Sequence, residues 1–89
     1  MKTYRFLISG RVQGVWYRKY TKEVADNLDI GGYVRNLPDG RVEVVATLKD
    51  EQFEEFLKAL KKGPPLARVD NIDIEKFDEI YNGDFEIIR

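Results

Sequence analysis

Tyr4, Phe6 and Ile8 alternate with Arg5 and Ser9, the two-residue period of a strand with one buried face, over residues 3–10. Leu7 interrupts the polar half of that alternation and predicts a strand covered on both faces. The period then lengthens. Tyr17, Tyr20, Val24 and Leu28 recur at helical spacing, predicting a helix from Trp16 to Leu28 that Gly31-Gly32 stops. Residues 33–37 and 42–46 read as two further strands. Between them Pro38 presets φ and Gly40 can take the left-handed position, so Pro38-Asp39-Gly40 predicts a hairpin turn. Asp50 is the expected N-cap of a second helix with Phe53, Phe56, Leu57 and Leu60 on one face. Lys61 and Lys62 meet the negative end of its dipole, and Gly63-Pro64-Pro65 forbids its continuation. Ile72 and Ile74 supply another strand, and Phe85 and Ile87 a short last one.

The order strand, helix, strand, strand, helix, strand, plus a terminal strand, predicts an α+β fold. Its pattern is the ferredoxin-like α/β sandwich, βαββαβ with an extra C-terminal strand, with two helices on one face of an antiparallel sheet. Eighty-nine residues suffice for one core, so residues 1–89 are read as one freestanding domain.

Fifteen basic against sixteen acidic residues leave a net charge of −1, which argues against a general grip on nucleic acid. RNA-recognition domains share this topology, but Val42-Glu43-Val44-Val45-Ala46 lacks the aromatic residues that reading needs. The chain has neither cysteine nor histidine, which removes disulfides, thiolate chemistry, imidazole bases and nearly all zinc sites. No apolar run approaches membrane-spanning length, and the expectation is a soluble, cytoplasmic protein with no membrane partner.

Candidate chemistry concentrates between the first strand and the first helix, in Gly10-Arg11-Val12-Gln13-Gly14-Val15-Trp16-Tyr17-Arg18. Two glycines allow backbone N–H groups to converge, a helix N-terminus adds unpaired donors, and Arg18 adds a planar fork matching phosphate or carboxylate oxygens. On these residues alone, an anion site and a merely tight connection carrying a surface arginine stay equally open. The stretch is neither a Walker A loop nor GxGxxG.

The same nine residues resemble the first signature of the acylphosphatase family. Gly32-Tyr33-Val34-Arg35-Asn36, continuing through Gly40-Arg41-Val42, is similar to the second, and Gly63-Pro64-Pro65 before Arg68-Val69 also matches. One departure is Leu48, where the family usually has glycine; it continues the Val42, Val44, Ala46 face and reads as a sheet-end difference. The resemblance implies hydrolysis of acyl phosphates, which are mixed carboxylic–phosphoric anhydrides, to a carboxylate and inorganic phosphate. It implies no metal and no cofactor. It also implies that Arg18 binds the phosphoryl group, that the backbone N–H groups of Gln13, Gly14, Val15, Trp16 and Tyr17 hold its oxygens, and that Asn36 holds the attacking water. The expected partners are the small acyl phosphate and inorganic phosphate as product and inhibitor, and the size of the domain makes a monomer the simplest expectation.

Physical chemistry is compatible with that reaction. A carboxylate leaving group is weakly basic and needs no general acid, and an amide carbonyl can orient a water without acting as a base. The alternative is a non-catalytic phosphate- or anion-binding module of the same fold. Read alone, Asn36 is a turn-flanking residue bonding its own backbone; beside the Arg18 signature it becomes the water's holder. Arg11 and Arg35 read as solvated surface charges, Thr21 as a helix-surface position, and Trp16 and Tyr17 as packing residues that fix the loop.

Overall fold

A computed structural model describes all residues, 1–89. The elements are β1 (Lys2–Arg11), α1 (Tyr17–Asn27), β2 (Gly31–Asn36), β3 (Val42–Leu48), α2 (Asp50–Lys62), β4 (Arg68–Phe77) and β5 (Phe85–Ile88). The strands form one sheet in the order β4-β1-β3-β2-β5. The expected α+β arrangement is present, and its sheet-forming alternation is visible directly in burial: Phe6, Ile8, Val42, Val44, Ala46 and Val34 are all fully enclosed on the helix-facing side.

The sheet differs from expectation in one respect: it is mixed rather than antiparallel. β4 runs antiparallel to β1 and finishes with Phe77 opposite Thr3, at the end of the sheet where β2 begins. Residues 78–84 cross under that end, where the Tyr81 N–H donates to Thr47 Oγ1 at 2.9 Å. β5 therefore enters beside the start of β2 and pairs with it in parallel, Phe85 opposite Gly32.

Both helices bury one stripe. On α2 the stripe is Phe56, Leu57 and Leu60, with the Phe6 and Phe56 rings edge to face at 5.6 Å and Tyr4 against Phe53 at 4.8 Å. On α1 the enclosed stripe is Tyr17, Thr21 and Ala25, with Tyr20, Val24 and Leu28 flanking it. Thr21 is thus not a surface residue. It is fully enclosed, and its hydroxyl donates to the Tyr17 carbonyl one turn back, so the small polar side chain costs no unpaired group inside. The start of α2 lies one residue earlier than expected. Lys49 is its N-cap and Asp50 its first helical residue, because the Gln52 side chain accepts the Lys49 N–H at 2.9 Å while Asp50, paired with Lys2 at 3.8 Å, and Glu51 place their charges in the first turn. Leu48 is a core residue closing β3, in keeping with the face it extends.

The helices are locked to each other by polar contacts. The Tyr17 hydroxyl donates to the Leu60 carbonyl and the Tyr20 hydroxyl to the Ala59 carbonyl, each at 2.7 Å, and Gln52 Nε2 donates to the Leu28 carbonyl at 2.6 Å. Burial pushes the Tyr17 phenol well above its ordinary range, so it remains a neutral donor. Tyr17→Phe should lower the unfolding free energy by about 1–2 kcal/mol in urea titrations, because the Leu60 carbonyl loses its side-chain donor in a dry setting.

The face of the sheet away from the helices carries no layer of its own, yet Leu7, Val45 and Thr47 are buried there. They lie among a row of ion pairs that crosses four strands: Arg35 on β2 and Arg5 on β1 both bind Glu43 on β3, and Arg5 also binds Glu75 on β4. Arg35 is therefore a structural partner of Glu43 rather than a free surface charge. Arg11 remains exposed and unpaired, as expected.

Candidate active site

The connection from β1 to α1 is shaped by the two glycines of the motif. Gly10 sits where the β1–β4 register shifts, and a Cβ there would collide with the Arg68 carbonyl, so only glycine lets β4 approach this closely. Gly14 has φ 75, and Trp16, the N-cap of α1, has φ 71. Two left-handed residues two apart curl the chain, and left-handed turns of this kind build the concave backbone nests that bind anions. A non-glycine residue enters that region at a cost of about 1–2 kcal/mol, which marks Trp16 as strained.

The backbone N–H groups of Gln13 to Lys19 meet no acceptor in the protein; the first helical bond of α1 runs from the Tyr20 N–H to the Trp16 carbonyl at 3.0 Å. Seven consecutive free donors at a helix N-terminus form a concentrated positive pole. Val12 and Val15 point inward and anchor the loop in the core. Gln13 anchors it laterally. Its Nε2 donates to the carbonyls of Leu37 at 2.8 Å and Arg41 at 2.9 Å, tying the loop to both sides of the β2–β3 turn. That turn is closed by Asp39, whose Oδ1 accepts the Arg41 N–H, and by the Leu37 N–H to Arg41 carbonyl bond at 2.8 Å.

Asn36 ends β2 next to this tie. It takes no part in the turn: its Oδ1 is the one buried side-chain polar atom in the chain without a hydrogen-bond partner. Buried amide oxygens are normally satisfied, so a free one beside a cavity is a ready acceptor for a ligand or water proton.

Arg18 and Asn36 line one cavity of about 460 Å³, together with Val12, Gly14, Trp16, Tyr17, Lys19, Ile87 and Arg89. Of the residues expected at the site, the structure brings Arg18, Asn36, Gly14, Trp16 and Tyr17 to this cavity. Gln13 and Val15 do not line it, their side chains being engaged with the hairpin and the core. Three cationic side chains and no carboxylate side chain line the cavity, in a chain whose net charge is −1. Arg18 has neither an ion pair nor a hydrogen bond in the protein, leaving its whole guanidinium fork free. The Tyr17 hydroxyl is turned toward Leu60 and is closed to proton transfer.

Trp16 overturns its expected role. It is 71% exposed and belongs to no core cluster, because the left-handed N-cap turns the indole outward while Tyr17 alone points in. The sequence reading also missed Lys19 and Arg89. Lys19 follows Arg18 on an exposed helix turn and gave no signal beyond its charge. Arg89 reaches the cavity only because β5 runs parallel to β2, which the alternation of Phe85 and Ile87 does not specify.

Comparison with known proteins gives one consistent result. A family model described as Acylphosphatase matches residues 4–87. An acylphosphatase of Methylococcus capsulatus is 49% identical over 76 residues, covering 85% of this chain and 83% of the relative. One of Legionella pneumophila (strain Corby) is 58% identical over 66 residues, covering 74% of this chain and 72% of the relative. The crystal structure of acylphosphatase from Bacillus subtilis superposes with a TM-score of 0.93 at 33% identity, covering all of both chains.

Proposed function

The chain belongs to the acylphosphatase family and is an enzyme that hydrolyses acyl phosphates, and from that premise we propose how its residues carry the reaction. The phosphoryl group sits in the nest, its oxygens taking the free N–H groups of Gln13 to Tyr17 and the fork of Arg18. Asn36 Oδ1 accepts a hydrogen bond from the attacking water and so aims the water's lone pair at phosphorus. As the water oxygen bonds to phosphorus, the bond from phosphorus to the acyl oxygen breaks and the carboxylate leaves with the electron pair. The water's proton passes to a phosphoryl oxygen of the substrate. No side chain serves as acid or base, because the leaving group is a weak base and the substrate accepts the proton itself. The work is positioning plus charge stabilisation by fixed donors. Arg18 supplies the positive charge that a metal supplies in other phosphoryl transfers, and neither metal nor cofactor takes part.

The observation that carries this reading is the convergence of Arg18 and the unpartnered Asn36 Oδ1 on one cavity. Inorganic phosphate should inhibit competitively by occupying the same nest. We place the enzyme as a cytoplasmic monomer acting on a small-molecule substrate, with no nucleic-acid or membrane partner; no helix is long and apolar enough to cross a membrane.

Hydrolysis of an aryl acyl phosphate, followed by ultraviolet absorbance, should proceed undiminished in EDTA; loss of turnover on chelation would overturn the metal-free reading. Asn36→Ala should lower kcat about 10²-fold with KM little changed, since an unheld water loses its line of attack. Asn36→Asp should raise KM as well, because a carboxylate then faces the phosphoryl oxygens. A normal kcat in Asn36→Ala would remove the residue from the mechanism.

A further inference from the structure

Beside the cavity of Arg18 and Asn36 lies an open groove of about 310 Å³, lined by Trp16, Lys19, Tyr20, Glu23, Pro64 and Pro65. Trp16 and Lys19 line both depressions, so the indole forms their shared wall. The groove is preformed. Its α1 side is held against the end of α2 by the Tyr17 and Tyr20 hydroxyls, and its far side is a pair of prolines whose φ angles are fixed. Trp16 is the chain's single tryptophan, stands 71% exposed on a strained N-cap, and packs into no core cluster. Its side-chain partner is Lys19, whose Nζ stands 5.8 Å from the ring centre, a pairing that does not require the strained N-cap; exposure together with that strain points to a ligand contact.

We propose that this groove is the acyl-group subsite of the enzyme and that it takes flat aromatic acyl groups, stacked on the Trp16 indole. The proposal rests on the assignment of the neighbouring cavity to the phosphoryl group. An acyl phosphate is short: with phosphorus in the nest, the carbonyl and its substituent emerge within reach of the side chains borne by the nest itself. Trp16 is the nest residue whose side chain turns outward, and it leads into a groove whose walls are indole, phenol and proline rings. An aromatic acyl group finds ring faces there, whereas an acetyl group is too small to span from the nest onto them.

The test compares kcat/KM for benzoyl phosphate and acetyl phosphate in the wild type, Trp16→Ala and Trp16→Phe. The benzoyl-to-acetyl ratio should fall five- to tenfold in Trp16→Ala, carried by KM for benzoyl phosphate, and be largely restored in Trp16→Phe. A second measurement needs no variant. Benzoate added with phosphate should change the wild-type tryptophan emission, and acetate should not. An unmoved ratio, equal losses on both substrates, or benzoate inhibition without a change in emission would overturn the subsite. These outcomes leave the phosphoryl site standing. Failure of the wild type to hydrolyse either substrate would instead sink the phosphoryl site, and the subsite with it.

Discussion

Arg18→Ala should lower kcat/KM for acyl phosphates by on the order of 10³-fold while leaving the melting temperature where it is. The two halves of that result come from the same observation. Arg18 makes no ion pair and no hydrogen bond within the protein, so the fold loses less than about 0.5 kcal/mol when it is removed. In the proposed mechanism the transferring phosphoryl group loses a bidentate donor set at a point where charge spreads onto its oxygens. Lys19 and Arg89 remain at the cavity, so the pocket stays cationic and phosphate binding should weaken less than catalysis does. Arg18→Lys keeps the charge without the planar fork and should recover only a minor part of kcat. Added guanidinium ion should restore activity to Arg18→Ala more than added ammonium at equal concentration. Turnover in Arg18→Ala within threefold of the wild type would take the arginine out of the mechanism, whatever the fate of the nest.

Reading the chain by periodicity succeeded where one physical effect dominates. The Tyr4-Phe6-Ile8 and Val42-Val44-Ala46 alternations answer to a single buried face, and the Pro38-Asp39-Gly40 turn to backbone conformation, so each is local. The motif around Arg18 and Asn36 stood out for another reason, its likeness to a family signature; local physics alone left the loop undecided and made Asn36 a turn-flanking residue. What escaped notice depends on partners far along the chain. Glu43 is a polar letter on a strand's second face, and only the pairing of two other strands shows that Arg5 and Arg35 close over it. Thr21 and Trp16 exchange their expected places because the left-handed N-cap rotates α1 by an amount that no hydrophobic count reveals. The parallel placement of β5 follows from the path of residues 78–84 across the sheet end, a topological choice with no short-range signature.

Glu43 carries the largest expected effect on stability. Its side chain is 3% exposed on a sheet face that no helix covers, and each carboxylate oxygen takes an arginine Nε at 2.5 Å, Arg5 on one side and Arg35 on the other. Burial alone would push this carboxyl up, but the hydrogen bonds from Arg35 and Arg5 outweigh it and hold it below its ordinary value of 4.5. Glu43→Gln preserves the volume and removes the charge, leaving two facing guanidinium groups with a neutral amide between them. Breaking a wholly enclosed pair costs roughly 3–5 kcal/mol. Here the Arg5 and Arg35 side chains are 27% and 46% exposed and can turn to water, so the expected loss is about 2 kcal/mol, or on the order of 10 °C in melting temperature. The pH dependence has a definite sign. A carboxyl with a depressed folded-state pKa adds stability that is fully present above its unfolded value and is lost as pH falls through the folded value. The gap between wild type and Glu43→Gln should therefore be widest near neutrality and close on strong acidification. Asp39 and Asp70 are also held low by Arg41 and Arg68, but both are exposed and both persist in the variant, so they cannot produce the difference. Thermal unfolding of the two proteins from pH 7 downward makes the comparison. A gap that is absent at pH 7, or that widens on acidification, would mean that Leu7, Val45 and Thr47 keep that face buried without the charge row above them.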